Sequence, residues 1–471
     1  MRRCIALGLV GSLAILNTAR ADAPTYSKDV ASILQKNCQD CHRPGQVAPF
    51  SLLTYEQAKK RGSDLAHVTG EKIMPPWPAT PKVGGPFRDQ RVLTDSEVAT
   101  IAAWAEAGCP EGDPKDAPKP REFSSAWPLG EPELVLTVPE PYELAATGDD
   151  DFRVFVLKTN FKEDRWIRAV DFKPGNRKVV HHVIAGIDTS GKARKLDEAT
   201  PKPGYTSVGG FGPGVPLRGF LPIWTPGSMP RYAPEGSGYM LPAGADVLIQ
   251  IHYHKSGKVE TDATSIGLYL SDKPLPKQVK TGFVFPNIPN DKIAKMMEKA
   301  QAIQAEGRRP ELEDFMADVL TIEAGDENYT IKADTKSGFM GRPLSRDILL
   351  TSVMPHMHWL GKDFTFTAIL PDKTRMPLIE IKHWNFNWQG TYAFAEPIRL
   401  PKGTYFEMVA HFDNSDNNPS NQNKPAKTVH WGEQTNDEMC IGVFEFVAAD
   451  GTDAPAKTNT KAEIKDGKAS R

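Results

Sequence analysis

The spacing of hydrophobic and polar positions changes character along this chain. In "YSKDVASILQKN" (Tyr26 to Asn37) the apolar residues Val30, Ile33 and Leu34 fall at helical spacing. "LTDSEVATIAAWAEAG" (Leu93 to Gly108) opens on a Thr or Asp cap, turns Val98, Ile101, Ala102 and Trp104 toward one side and stops at a glycine, so a second helix is predicted there. "PEGDPKDAPKPREF" is rich in Pro, Asp and Lys and reads as a linker, placed at 111–130. Beyond it, short runs of Val, Ile, Phe and Trp take over. They recur at "DFRVFVLKTN", "VVHHVIAGID", "ADVLIQIHYH", "TSIGLYL", "NYTIKAD", "DFTFTAIL", "TYFEMVAHFD" and "CIGVFEFVA", with turn residues between them. That pattern predicts an all-β, sandwich-type architecture over 131–289 and 321–449. A helical stretch, 290–320, interrupts it as an insertion. The tail, 450–471, is Lys-, Asp- and Thr-rich and is expected to be disordered.

Composition narrows the class. The 471 residues are 39% hydrophobic and 25% charged, with 40 Pro and 38 Gly, which favours turns and short strands. A net charge of -2 argues against a nucleic-acid partner. Residues 1–21 read as an export signal: Arg2 and Arg3, then the apolar "IALGLVGSLAIL", then the small-x-small "ARA" with cleavage after Ala21. The expected location is periplasmic or secreted. No later stretch is long enough for a membrane span. Cys4 leaves with the signal, and the remaining Cys38, Cys41, Cys109 and Cys440 are too few for a disulfide scaffold.

"NCQDCHRP" carries Cys38, Cys41 and His42, the C-x-x-C-H attachment signal for a covalent haem c. Two thiols one turn apart can each add to a haem vinyl group, and the adjacent imidazole can face the iron. The sixth ligand is expected from the following loop. Met74 in "KIMPPWP" is the candidate and His67 its competitor. The flanking helices look like the first and last of a small class I cytochrome c. Residues 22–110 are therefore expected to form a small all-α cytochrome c domain ahead of the β domains.

Eleven histidines are the other chemical signal, and three clusters sit on apolar strand-like runs: "VVHHVI", "IQIHYH" and "MPHMHW". Residues i and i+2 of a strand share a face, so His356 and His358 can bind one metal, and His252 with His254 could as well. The adjacent His181 and His182 can do so only at a bulge or strand end. Imidazole suits Zn, Cu, Fe and Ni, so spacing alone leaves the metal open.

"VVHHVI", "LIQIHYH", "PHMHWLGKDF" and "NDEMCIGVFEF" occur in the order found in the copper type II, ascorbate-dependent monooxygenases, the peptidylglycine α-hydroxylating and dopamine β-monooxygenase family. The chain resembles that family across roughly Glu131 to Ala449. The resemblance implies two β-sandwich (jelly-roll-like) copper domains across an open, water-filled cleft. It also implies two copper ions: one at His181, His182 and His252 for electron transfer, and one at His356, His358 and Met439 for catalysis. Gln250 matches the glutamine two residues before the third ligand. His254 has no counterpart role. Where the peptide-amidating branch holds its substrate's carboxylate with Arg and Tyr, this chain has Met354 and Val443, so a small apolar organic substrate is expected instead.

The expected function is hydroxylation of a C–H bond with O2, the haem feeding electrons to copper, with an exported cytochrome or a small reductant such as ascorbate upstream. The competing expectation is a copper- and haem-binding electron carrier that performs no oxygenation.

Overall fold

The computed structural model describes residues 23–123, 127–207, 209–288, 290–308, 313–336 and 341–451; the leader and all but the start of the tail lie outside them. The chain separates into two compact units. One contains the residues before Pro76 together with Val92–Arg121; the other contains Pro76–Arg91 and the chain from Glu122 onward.

The first unit holds the helices Ala31–Asn37, Tyr55–Lys59, Gly62–Gly70 and Asp95–Glu106. The last is fixed at its start by a reciprocal cap. Thr94 Oγ1 accepts from the Glu97 N–H, and the Glu97 carboxylate accepts from the Thr94 N–H. Ile101 and Trp104, three apart on this helix, are fully buried with Val30 and Leu34. Gly62 is required by packing, since a Cβ there would lie 2.2 Å from Cys109 Sγ.

The expected separate all-α cytochrome c domain is not what this region forms. The chain is mostly β-sheet, and its N-terminal helices are short, with residues 38–54 and 71–94 outside any helix. Moreover, Pro76–Arg91, inside the expected domain, belongs to the β unit. Pro75, Pro76, Pro78, Pro81 and Pro86 forbid a helix here. The apolar residues between them are buried on sheets instead. Ala79 bridges Ile381, Phe87 bridges Phe394, and both join the same hydrophobic core. Trp77 stacks edge-on against Tyr392 at 5.1 Å. Gly84, at φ +67°, would put a Cβ 1.8 Å from the Leu378 carbonyl oxygen, so this segment is fitted to the β unit in detail.

The β unit is built of paired sheets. In the first sandwich one sheet runs Tyr205–Thr206, Asp151–Lys158, Asp246–Tyr253, Val180–Asp188, Leu217–Trp224. Its companion runs Leu134–Thr137, Ser265–Ser271, Arg165–Lys173, Ser237–Leu241, Lys277–Gln278. Every residue of Asp246–Tyr253 is buried, as a central strand covered on both faces should be. In the second sandwich one sheet runs Lys280–Val284, Cys440–Ala448, Ile348–Met357, Tyr392–Leu400, and the other Tyr329–Asp334, Tyr405–Phe412, Gly361–Ile369, Arg375–Ile381. Tyr405–Phe412 alternates half-buried and buried residues along its length, the period-2 signature of a strand with one face in the core. Helices Asn290–Ala305 and Glu313–Val319 lie in sequence inside the second sandwich, after its strand Lys280–Val284 and before Tyr329–Asp334. Among the described residues no helix is long and apolar enough to cross a membrane.

Candidate functional site

Val180–Asp188 and Asp246–Tyr253 are neighbours in one sheet. Val180 pairs with Tyr253 and His182 with His252, and the register shifts between them, so His181 is the extra residue of a bulge. The bulge is what lets adjacent histidines serve one point. Ring centroids stand 5.4 Å apart for His181–His182, 5.0 Å for His181–His252 and 4.8 Å for His182–His252. One ring nitrogen from each lies within 4.8 Å of the others.

His252 is oriented by Asp150, whose Oδ2 lies 2.9 Å from Nε2. Its Nδ1 is buried and has no partner. A buried ring nitrogen left without a hydrogen bond, in a group of three imidazoles this close, is a donor arrangement a metal ion satisfies. Burial pushes Asp150 up, but hydrogen bonds from His252, His254 and Thr435 outweigh it and hold the carboxyl well below the usual range. His254 is largely exposed, bonds Asp150 Oδ1 at 3.0 Å and stands outside the three-histidine cluster. Gln250 is buried and donates to the Ser207 carbonyl at 3.0 Å and to the Gly210 carbonyl.

The second cluster forms where Ile348–Met357 ends beside Cys440–Ala448. His356 pairs with Ile441 and Met357 with Cys440, so the next step of the register sets His358 opposite Met439. Met357 is fully buried in the core of the sandwich, and the two histidines take the other face. His356 Nδ1 bonds Gln389 Oε1 at 2.5 Å, and His358 Nδ1 bonds the Asp437 carbonyl at 3.0 Å. Both acceptors fix the Nδ1–H tautomer and leave the Nε2 lone pairs for a ligand. Burial lowers His356 to about 4 and His181 to about 3, and pushes His182 and His358 well down. All four are therefore neutral near pH 7, the form that ligates metals.

Glu438 clamps this geometry. Its fully buried carboxylate accepts from the backbone N–H of His358, of Leu360 at 2.9 Å and of Met439 at 2.8 Å. Burial raises it to about 8 against those three donors. Trp384 Nε1 donates to the His358 carbonyl at 2.9 Å.

The two clusters are not separated by a wide cleft. His182, His356, His358 and Met439 line one pocket, whose wall includes Met354 and Val443. Phe386 stacks on His181, with centroids 4.8 Å apart and planes at 20°, and stands edge-on to His358 at 5.6 Å. A second pocket shares Ile223, Phe283, Met354 and Val443 with the first.

In the other unit, Cys38, Cys41 and His42 follow helix Ala31–Asn37. The Cys38 carbonyl accepts from the N–H of Cys41 at 3.2 Å and of His42 at 2.9 Å, closing a single turn. Cys38 is in no disulfide. His42 Nδ1 bonds the Phe50 carbonyl at 3.2 Å, which leaves Nε2 for an axial bond. Met74 is half-buried, and His67 is exposed on helix Gly62–Gly70. Cys109 and Cys440 are buried free thiols, Cys440 Sγ lying 3.8 Å from Met408 Sδ.

Sequence reasoning did not find Asp150, Phe386, Gln389 or Glu438. Glu438 sat inside the quoted "NDEMCIGVFEF", where no spacing announced a role.

No known family profile matches the chain, and no curated protein does. Among solved structures, an allantoicase is similar at 10% identity over 62% of this chain and 80% of that one, with a TM-score of 0.16. PNGF-II is similar at 9% identity over 67% and 65%, with a TM-score of 0.21. A subviral particle of infectious bursal disease virus VP2 is similar at 9% identity over 68% and 81%, with a TM-score of 0.16. Likenesses this slight carry no argument about function.

Proposed function

We propose that this chain is an exported monooxygenase that uses two copper ions and a covalent haem c to hydroxylate a C–H bond of a small, mainly apolar substrate. The reading rests above all on the His181, His182 and His252 cluster, with His252 Nδ1 buried and unpartnered, and on His182, His356, His358 and Met439 lining one pocket. The order of the motifs, with its likeness to the copper type II, ascorbate-dependent monooxygenases, selects copper among the metals that imidazole suits. The thioether of Met439 favours Cu(I).

His181, His182 and His252 would hold one copper; His356, His358 and Met439 would hold the other; Cys38, Cys41, His42 and Met74 would hold the haem. Copper supplies O2 activation and one-electron chemistry, the overall balance being R–H + O2 + 2e⁻ + 2H⁺ → R–OH + H2O. The chain's own groups do the rest. Gln389 and the Asp437 carbonyl fix the imidazole tautomers at the second cluster, and Asp150 fixes His252 at the first. Met354 and Val443 give the cavity an apolar wall and no charge to pair with a carboxylate. A haem on the same chain would raise the donor's effective concentration to about the millimolar scale. An exported cytochrome or small reductant would renew it. Export is proposed from Arg2, Arg3 and the apolar leader ending at Ala21.

The test is stoichiometry together with turnover. The purified chain should carry two coppers and one haem that resists acidified organic solvent. The reduced, aerated protein should add one oxygen atom to an apolar probe substrate. Two coppers and a haem without substrate-dependent O2 consumption across a panel of such probes would instead favour the non-catalytic electron carrier.

A further inference from the structure

The loop that follows strand Arg375–Ile381 reaches ligand candidates of both clusters. Phe386 is buried with its face on His181, at 4.8 Å and 20°, and its edge on His358, at 5.6 Å and 74°. Trp359 backs the same ring at 4.6 Å. Three residues on, Gln389 bonds His356 Nδ1 through Oε1 and the Phe386 carbonyl through Nε2, at 2.5 and 3.0 Å. The Gln389 carbonyl accepts from Thr225 Oγ1, on the first sandwich. One short loop thus bonds or stacks on His181, His356 and His358. A second tie runs beside it. Asp150, which orients His252, accepts from Thr435 Oγ1, and Gln434 Nε2 donates to the Asp150 carbonyl at 3.3 Å; both lie in the loop leading to Met439.

Resting on the copper reading above, we propose that Phe386 is a positioning residue that sets the spacing of the two metal positions and carries one electron from the His181 side to the His358 side. The separation of the His181 and His358 rings cannot exceed the two legs through Phe386, 4.8 and 5.6 Å. A packed aromatic ring fills that gap with bonded orbitals and keeps water out of it. With copper bound, one electron would pass from the ion at His181, His182 and His252, oxidised by one unit, to the ion at His356, His358 and Met439, reduced by one. The other expectation, an open and water-filled cleft, requires two independent sites.

The experiment loads the full chain with two Cu(II) and records its electron paramagnetic resonance spectrum. Two reference variants, His181→Ala with His182→Ala, and His356→Ala with His358→Ala, supply the spectra of each site alone. The wild-type spectrum should show dipolar broadening that the sum of the two references lacks. Phe386→Leu should keep both coppers but slow inter-site electron transfer after flash reduction, and Phe386→Tyr should restore it. Two coppers with a wild-type spectrum equal to the sum of the references would overturn the inference and leave the copper reading standing. So would an unchanged transfer rate in Phe386→Leu. Fewer than two coppers would defeat the copper reading itself.

Discussion

Glu438 offers the sharpest test of how the second cluster is held together. Its two carboxylate oxygens accept three backbone N–H groups, with His358 and Met439 sharing Oε1 and Leu360 on Oε2. Glu438→Gln keeps the shape and one acceptor oxygen. That oxygen can serve His358 and Met439, but the amide NH2 then faces the Leu360 N–H, donor against donor. The Leu360 hydrogen bond is lost and its buried N–H is left unpaired, a cost of about 2–3 kcal/mol. For a unit of this size the unfolding midpoint should drop by about 3–4 °C. The assay is a thermal scan of the metal-free protein, followed at a wavelength that reports the β unit. Copper bound at His356, His358 and Met439 should also weaken, because the strand end and the Met439 backbone are no longer pinned to each other. A midpoint within about 1 °C of wild type would refute the clamp.

Asp171 gives a pH prediction away from the clusters. Burial raises it to about 6 from 3.8, so the folded state holds its proton longer than the unfolded chain. Its contribution is fully present below about pH 4 and is lost as pH rises through about 6, a change of up to about 3 kcal/mol. Asp171→Asn should remove that slope and raise the urea midpoint at pH 7.5 but not at pH 4; equal midpoints at pH 7.5 would count against it. Asp150→Asn withdraws the carboxylate behind His252 and should lower copper affinity at the first cluster by about 10–100-fold, read by competition with a calibrated chelator. Met439→Leu keeps the volume of a core methionine at under about 1.5 kcal/mol. X-ray absorption of the reduced protein should lose its copper–sulfur shell in this variant; a wild type lacking that shell would remove Met439 from the ligand set.

Local rules governed what could be read without a structure. Period-2 alternation put His356 and His358 on one face and Met357 on the other, and the side chains lie that way because a strand's pleat leaves no alternative. The capping pattern before Val98 placed a helix start that Thr94 and Glu97 form by reciprocal bonds. For His181 and His182 the sequence supplied only a condition, a bulge, and pairing with Asp246–Tyr253 supplied the bulge itself. The all-α reading of 22–110 failed for a related reason. Its helices were local and formed, but the proline-rich stretch between them had no local structure to declare, and burial of Ala79 and Phe87 on distant strands decided where it went. The groups that join the two clusters were beyond any spacing rule. Asp150 meets Thr435 across 285 residues, and Phe386 meets His181 and His358 from a loop without periodicity. Periodicity records which face of an element is buried; which faces then meet is settled only when the sheets pack, because that energy belongs to contacts between residues far apart in the chain.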